Sequence, residues 1–280
     1  MPLDPDKIFA LPPLEIDHSY TARDTIIYAL GIGAEDLPFV YEEGLQALPM
    51  MANVITYPGF VWREPRWGVT WNKILHAEQS IELFKPLPPE GKMHGVQIID
   101  DIIDKGAEKG AIILLTRKIY DGKGGDHIAN VKTTTFMRGD GGFGGKSDGA
   151  PAPFTLPERA PDISVTLNTA TNIAMIYRLS GDVNPLHIDP AVAQGAGFPR
   201  PILHGLATYG VVGRTLLSAL CNNDCARLTR MDARFSSPVY PGETIATDIW
   251  NVDKGTAGFR ARVVERDLVV INNGYVEFAG

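Results

Sequence analysis

An aspartate and a histidine five residues apart form the most chemically suggestive pair in the sequence, Asp182 and His187 in the stretch SGDVNPLHIDP. Pro185 between them excludes a regular helix, and Asn184 favours a turn because its side chain bonds to nearby backbone. We therefore expect a compact polar loop that points both side chains into one space. A carboxylate beside an imidazole can act as an acid–base pair near neutral pH. The alternative is a structural connector in which Asp182 only caps backbone donors.

A glycine opens the most apolar helix that the sequence predicts, at residues 205–220. The first N–H of a helix has no partner within the helix and lies at the positive end of its dipole. The Gly205 N–H therefore suits a developing oxyanion, such as the enolate oxygen of a thioester. Plain helix capping is the alternative. His204, directly before this glycine, is expected to pack or cap rather than to catalyse.

Periodicity and turn residues predict the elements that position these groups. In the second half we expect a short apolar helix at 172–179 and another that begins at Asp189–Pro190, an N-cap followed by proline at the first helical position. Short turns between successive strands imply antiparallel pairing around one buried helix. Strands are predicted at 76–84, 92–103, 110–120, 129–138, 233–235, 244–251, 258–265 and 268–278.

The two halves of the chain resemble each other. A glycine-rich segment at 139–146 and a proline-rich run to Pro161 form a linker, and we divide the chain into domains at 1–150 and 151–280. The linker glycines do not match the spacing of a phosphate loop. YALGIG at 28–33 parallels YRLSGD at 177–182, which indicates a duplicated unit. Gly33 is then the counterpart of Asp182, so the first half lacks the acid–base pair.

Residues 36–70 contain no counterpart of the apolar helix at 205–220. If the halves are duplicates, the central helix of the first half is shortened or broken. That would leave space beside a buried sheet, where an apolar ligand can lie.

Composition excludes several classes of function. The net charge of −7 comes without a basic stripe, which argues against a nucleic-acid partner. No signal peptide and no membrane-spanning stretch are predicted. Only two cysteines occur, Cys221 and Cys225, and we expect both to pack in the core rather than to form a disulfide framework or a metal site.

The run YRLSGDVNPLH, followed by PILHG, closely resembles the hydratase 2 motif of the MaoC-like family. LHAEQ at 75–79, FKPLP at 84–88 and GGFGG at 141–145 are similar to its eukaryotic two-domain branch. The chain thus resembles the 2-enoyl-CoA hydratase 2 unit of a fungal peroxisomal multifunctional β-oxidation enzyme. This resemblance implies an α+β double hot-dog fold, with two antiparallel sheets each wrapped on a central helix and the N-terminal helix shortened. It also implies (3R)-specific addition of water to trans-2-enoyl-CoA.

The resemblance assigns roles to residues by position. Asp182 and His187 become the catalytic dyad, Asn184 orients the site and the Gly205 N–H is the oxyanion donor. Glu42 matches an acidic position of supporting importance, although a surface carboxylate is the simpler alternative. No metal and no cofactor are expected, because CoA is part of the substrate. The positions expected to contact the acyl-CoA are His76, Ala77, Lys105, Val183, Pro185, Leu186 and Arg234.

Partners and location are likewise implied by the resemblance. We expect an acyl-CoA substrate with a medium to long chain, a homodimer, and a multidomain parent with a dehydrogenase part. A peroxisomal location is expected, although the chain ends in EFAG rather than in an SKL-type address. A hot-dog thioesterase and a non-catalytic acyl-CoA binder are the competing interpretations.

Overall fold

Ten antiparallel strands form one sheet in the computed structural model, which describes residues 3–280. Their order across the sheet is β1-β3-β4-β5-β2-β7-β10-β9-β8-β6. The strands are β1 (Leu14–Tyr20), β2 (Ile74–Leu83), β3 (Gly91–Asp104), β4 (Ala111–Asp121), β5 (His127–Met137), β6 (Ile163–Asn168), β7 (Leu228–Phe235), β8 (Thr244–Asp253), β9 (Thr256–Val263) and β10 (Leu268–Phe278). The α-helices are α1 (Pro5–Phe9), α2 (Ala22–Gly31), α3 (Leu37–Val40), α4 (Ile173–Tyr177), α5 (Pro190–Gly195) and α6 (Gly205–Cys221).

The same strand order occurs twice in the sheet. The first five strands run β1-β3-β4-β5-β2 and the last five, read from the other edge, run β6-β8-β9-β10-β7. The halves meet where β2 pairs with β7, from Glu78 opposite Arg234 to Glu82 opposite Arg230. This junction differs from the expected pair of separate sheets. Its physical reason is that an unpaired inner edge exposes backbone N–H and C=O groups, which the two halves satisfy by pairing with each other.

The predicted apolar helix is confirmed as α6, one residue longer than expected. It is buried on most of its surface, as a helix with few polar residues must be. Two glycines allow this close packing. A Cβ at Gly210 would lie 2.4 Å from the side chain of Ile32, and one at Gly213 would lie 2.5 Å from that of Met50. Among residues 3–280, no helix is both long and apolar enough to cross a bilayer.

The first half has no helix that corresponds to α6. The chain between α2 and β2 contains α3 and four 3-10 turns, at Pro49–Asn53, Val61–Arg63, Pro65–Trp67 and Trp71–Lys73. Prolines stand in the first turn of α3 and of two of these 3-10 segments. Proline suits a helix start but interrupts a longer helix. The predicted shortening of the N-terminal helix is therefore confirmed.

The strand predictions were correct in number except at the two edges of the sheet. Strands β1 and β6 were missed, and β7 begins at Leu228 rather than at 233. In β6 the sequence ISVTLN alternates apolar and polar residues, and the burial alternates with it. This period of two is the signal of a half-buried strand and was available in the sequence.

Candidate active site

The loop that carries Asp182 begins at a left-handed glycine. Helix α4 continues into a 3-10 turn, Arg178–Ser180, which ends at Gly181 with φ of 118°. A side chain rarely adopts this φ, so the glycine lets the chain turn away from the helix. The Asp182 Oδ1 then accepts a hydrogen bond from the Asn184 N–H at 3.2 Å.

A second short turn fixes His187. Asn184 caps the 3-10 segment Pro185–His187, and its Oδ1 accepts from the Leu186 N–H at 3.2 Å. The asparagine and the proline therefore perform the turn-forming roles that the sequence suggested. Asp189 in turn caps α5, with its carboxylate accepting from the Ala191 N–H at 2.8 Å. The predicted helix start at Asp189–Pro190 is confirmed.

The structure brings Asp182 and His187 together with His204. One carboxylate oxygen and one nitrogen from each ring all lie within 4.8 Å of one another. The His187 Nδ1–H donates to the Ile202 carbonyl oxygen at 2.9 Å. Since a carbonyl can only accept, the Nδ1 carries the proton and the Nε2 of a neutral ring keeps its lone pair. Burial lowers the pKa of His187, while the Asp182 carboxylate and the Ile202 carbonyl act in the opposite direction.

His204 is a buried member of this group, which the sequence interpretation had treated as packing or capping. Its ring stacks on that of His187, with 3.8 Å between the ring centroids. Its Nε2–H donates to the main-chain oxygen of Asp182 at 3.1 Å. Burial and the neighbouring His187 lower the pKa of His204 to about 4. His204 therefore holds the Asp182 backbone as a neutral ring, and its side chain makes no N-cap bond to α6.

These three side chains are also the one compact group of potential metal ligands in the described chain, residues 3–280. One nitrogen of each histidine is already committed to a main-chain carbonyl. One nitrogen with a free lone pair in each ring, together with the Asp182 carboxylate, remains available to bind a ligand. That set can equally hold a water molecule, which accepts and donates hydrogen bonds. The expectation of no metal and no cofactor stays a prediction.

Gly205 is the first residue of α6 and lies beside the same group. Its N–H has no acceptor in the helix ladder and points out of the positive end of the helix. A Cβ here would lie 3.4 Å from the ring of Phe235, so a small side chain would meet the ring at van der Waals distance. The Phe235 ring also contacts His76, with 4.9 Å between the ring centroids.

Strand β2 brings His76 and Ala77 to the site. The pairing of β2 with β5 shifts register between His76 and Glu78, which makes Ala77 the extra residue of a β-bulge. A bulge releases backbone groups from the ladder and redirects side chains, and bulges are frequent beside active sites. The His76 Nε2 lies 2.8 Å from the Gln79 Oε1. Arg234, on the neighbouring β7, lies 3.5 Å from the Glu78 carboxylate.

The remaining predicted residues are exposed or half-buried. Lys105 lies in the β3–β4 turn, where its Nζ donates to the Ser147 carbonyl at 2.7 Å. Val183 is 63% exposed and Pro185 is exposed beside it, whereas Leu186 is half-buried. Glu42 lies on an exposed bend and is not part of the Asp182–His187–His204 group. Its supporting role stays a prediction, with a surface carboxylate as the alternative.

Two tyrosines near Asp182 were not singled out as site residues. Burial and the Asp182 carboxylate raise the pKa of Tyr57 to about 12. Burial also raises the pKa of Tyr177, with Tyr28 and Asp182 contributing. The ring of Tyr177 lies 6.0 Å from that of Tyr28 and 5.0 Å from that of His204, measured between centroids. Tyr28 and Tyr177 occupy matched positions of the internal repeat. This match was the sequence signal that could have identified Tyr177 as a site residue.

A cavity of about 360 Å³ opens next to the loop, on the first-half side. Strand β1, helix α2 and the segment around Met51 form its walls, together with residues 179–181, which directly precede Asp182. Its apolar lining includes Ile16, Ile27, Met51 and Val54, and Tyr57 stands on the same wall. The space beside the sheet that the missing central helix predicted is therefore present.

Two family models match the chain. The model described as MaoC like domain matches residues 153–274, and the one described as MFE-2 hydratase 2 N-terminal domain matches residues 18–139. The Mycobacterium tuberculosis protein named 3-hydroxyacyl-thioester dehydratase Y is 43% identical, over 99% of this chain and 99% of its own. The Arabidopsis thaliana protein named Enoyl-CoA hydratase 2, peroxisomal, is 34% identical over 98% of this chain and 95% of its own.

A crystal structure of a MaoC-like dehydratase from Phytophthora capsici has the same fold. It superposes with a TM-score of 0.90 at 38% identity and covers 99% of each chain. A Mycobacterium tuberculosis protein whose structure is described as a double hot-dog fold superposes with a TM-score of 0.58 at 11% identity, over 99% of this chain and 98% of its own. The fold is thus the double hot-dog fold that the motif predicted, with the two halves joined in one sheet.

Proposed function

The chain belongs to the MaoC-like enoyl-CoA hydratase 2 family, and from this premise we propose how Asp182 and His187 carry out its reaction. The protein is a hydro-lyase that adds water to trans-2-enoyl-CoA and gives (3R)-3-hydroxyacyl-CoA, a step of fatty acid β-oxidation. The observation that carries the site assignment is the approach of the Asp182 carboxylate and the His187 ring to within 4.8 Å. One water molecule can bridge groups at this separation.

The bridging water donates one hydrogen bond to the Asp182 carboxylate and one to the His187 Nε2. As the water oxygen bonds to C3, Asp182 takes a proton, and the electron pair of the double bond moves towards the thioester oxygen. A positioned general base of this kind is worth about 10²–10⁴-fold in rate. Asn184 keeps the carboxylate in place through its N–H.

The proton that C2 receives comes from the same water, by way of Asp182. His187 cannot supply it in its resting form, because its single proton is on Nδ1 and is bonded to the Ile202 carbonyl. Its lowered pKa keeps the second nitrogen unprotonated at neutral pH. Return of the proton from Asp182 to the face that received the oxygen makes the addition syn and restores the carboxylate.

The negative charge on the thioester oxygen is stabilised by the Gly205 N–H. This donor lies at the start of the 17-residue helix α6, whose dipole adds to the effect. An oxyanion donor typically contributes about 10²–10³-fold in rate. The Phe235 ring beside Gly205 helps to exclude water from this oxygen.

The cavity next to residues 179–181 is the proposed place of the acyl tail. It begins beside Asp182 and runs between β1 and α2, where Ile16, Ile27 and Met51 provide apolar contacts. A volume of about 360 Å³ accommodates more than a four-carbon chain, which supports medium to long acyl substrates. The CoA moiety then extends the other way, towards His76, Arg234 and Lys105.

We also propose a homodimer and a peroxisomal location. The Arabidopsis relative carries the peroxisomal designation, whereas another relative is mycobacterial. Analytical ultracentrifugation tests the dimer. Imaging of a fluorescent fusion tests the location. A multidomain parent with a dehydrogenase part stays a prediction from the resemblance.

A chiral assay tests the activity. With trans-2-decenoyl-CoA as substrate, we expect loss of the enoyl absorbance and formation of (3R)-3-hydroxydecanoyl-CoA, identified by chiral chromatography of the hydrolysed product. Release of free CoA thiol without loss of the double bond would instead identify a thioesterase. Binding without turnover would identify an acyl-CoA carrier, and the (3S) product would contradict the proposed stereochemistry.

A further inference from the structure

The glycine-rich segment after β5 binds an internal carboxylate rather than a phosphate. Asp104, the last residue of β3, is only 6% exposed. Its Oδ1 accepts from the N–H groups of Gly106 at 2.8 Å and Gly142 at 2.7 Å, and its Oδ2 accepts from that of Gly144 at 2.8 Å. All three glycines have positive φ, of 91°, 87° and 81°. These N–H groups come from two separate turns and converge on one carboxylate; we call this anion-binding concavity the glycine nest, and its anion is Asp104.

The nest keeps Asp104 ionised. Hydrogen bonds from the N–H groups of Gly142 and Gly106, followed by those of the neighbouring glycines, hold the pKa of Asp104 below its usual range. No Lys, Arg or His within residues 3–280 forms an ion pair with it. The carboxylate is therefore committed to holding the segment 139–147 against the β3–β4 turn.

Lys105 follows Asp104 directly and shares the same clamp. Its Nζ donates to the Ser147 carbonyl at 2.7 Å, and its main-chain N–H donates to the Gly110 carbonyl at 2.9 Å. The Asp104 N–H donates to the Lys146 carbonyl at 2.8 Å. The middle and the C-terminal end of the glycine-rich segment are thus bonded to residues 104–105, so the order of this part of the segment sets the direction of the Lys105 side chain.

The clamp lies at the same end of the sheet as the catalytic loop. Asp104 pairs with Ala111, Ala111 with Met137, and Met137 with Ile74, two residues before His76. Three spacings of ~4.8 Å between neighbouring strands give about 14 Å from β3 to β2. An extended pantetheine arm covers a distance of this order.

We propose that Asp104 is a positioning residue for CoA recognition, whose glycine-bound carboxylate fixes the Lys105 ammonium where it meets the phosphates of CoA. The proposal rests on the proposed function, since it takes acyl-CoA as the substrate. Asp104 itself touches neither the substrate nor the reacting atoms. Its loss should affect recognition of the phosphates and leave the chemistry at C3 unchanged.

Asp104→Asn is the first test. The amide can accept fewer N–H bonds than the carboxylate and lacks its charge. We expect KM for trans-2-decenoyl-CoA to rise about tenfold, the effect of one weakened contact with a charged group, with kcat within twofold. The decenoyl thioester of N-acetylcysteamine has no phosphates, so its kcat/KM should not change. Equal losses on both thioesters would mean that Asp104 only supports the fold and would overturn the proposal.

A double-mutant cycle separates positioning from independent effects. If Asp104 acts through Lys105, then Asp104→Asn should raise KM for decenoyl-CoA no further in a Lys105→Ala background. Additive increases would overturn the proposal.

Gly144→Ala provides a milder variant if Asp104→Asn does not fold. An added Cβ here meets no atom within 4 Å, so the change strains only the backbone at φ of 81°. It should raise KM for the CoA thioester selectively and by a smaller factor, and an unselective response would contradict the proposal. If the wild-type chain hydrates neither thioester, the proposed function itself fails. If it hydrates both and the variants show no selectivity, only the role of Asp104 fails.

Discussion

The two halves of the molecule use one strand order for different purposes. Helices α2 and α4 are matched elements of the repeat, and they pack directly on each other. A Cβ at Gly31 would lie 2.9 Å from the Cα of Tyr177, and the rings of Tyr28 and Tyr177 meet at 6.0 Å. Beyond this contact the halves differ. The Gly33 carbonyl accepts a hydrogen bond from the Arg214 side chain of α6, whereas the matched Asp182 begins the loop of the candidate active site.

The difference shows that the two copies of a duplicated fold can take different structural roles. The second half keeps a full central helix, so its core is filled and α6 can present the Gly205 N–H. The first half replaces that helix with α3 and 3-10 turns, which leaves a cavity beside β1 and α2. The proposed chemistry thus belongs to the loop after α4, and the proposed tail site to the cavity beside α2.

The largest expected effect comes from removing the pair that only the second half has. Asp182→Asn and His187→Gln should each lower kcat for trans-2-decenoyl-CoA by about 10²–10⁴-fold, the value of a positioned general base. Circular dichroism should remain that of the wild type. Asp189→Asn is the matched control in the same loop, because asparagine also caps a helix. Near-wild-type turnover in either dyad variant would contradict the assignment.

Acid stability should reveal the cost of burying His204 beside the dyad. Its pKa is about 4 in the folded state against 6.5 in the unfolded chain, so the unfolded state binds more protons between these values. The stability contribution is therefore complete above pH 6.5 and is lost as the pH falls towards 4. The loss should be on the order of 2–3 kcal/mol.

Urea unfolding of the wild type and of His204→Gln at pH 7 and pH 4.5 measures this contribution. The variant should lose less stability between the two pH values, since the other titrating groups are common to both proteins. An equal loss would show that His204 titrates normally.

The smallest effect concerns the cavity of the first half. Ile27→Trp adds bulk to the cavity wall. KM for hexadecenoyl-CoA should therefore rise about tenfold, which corresponds to the loss of roughly two buried methylene groups of the acyl tail. KM for crotonyl-CoA should stay unchanged. Leu30→Trp on the same helix is the control, because Leu30 does not line the cavity. A uniform change across chain lengths would place the acyl tail elsewhere.

Much of the second half could be predicted because its signals are local. The glycine and apolar pattern of α6, the cap at Asp189 and the strand β10 all follow from neighbouring residues. The joining of the halves through β2 and β7 could not be predicted in this way. That pairing brings together Glu78 and Arg234, which are far apart in sequence.

The sequence motif was sufficient to predict the Asp182–His187 pair, but not the residues that surround it. The spacing of Asp182 and His187 within one turn-forming loop indicated that they meet. The role of His204 depends on a contact between its Nε2 and the Asp182 carbonyl 22 residues away, which no local pattern encodes. Tyr57 likewise comes from the other half of the chain. The glycine-rich linker was recognised as irregular, but its partner Asp104 was not identified.

The pairing of β2 with β7 also determines which backbone groups remain available to other molecules. It places both strands in the interior of the sheet and leaves β1 and β6 at its edges. These edge strands have seven and six residues, and β1 carries outward-facing Glu15 and Asp17. Glu15 is bonded to Lys123 at 2.9 Å. Both edge strands are short, and β1 also carries charged side chains; each of these features resists the addition of further strands and so protects the duplicated sheet against edge-to-edge aggregation.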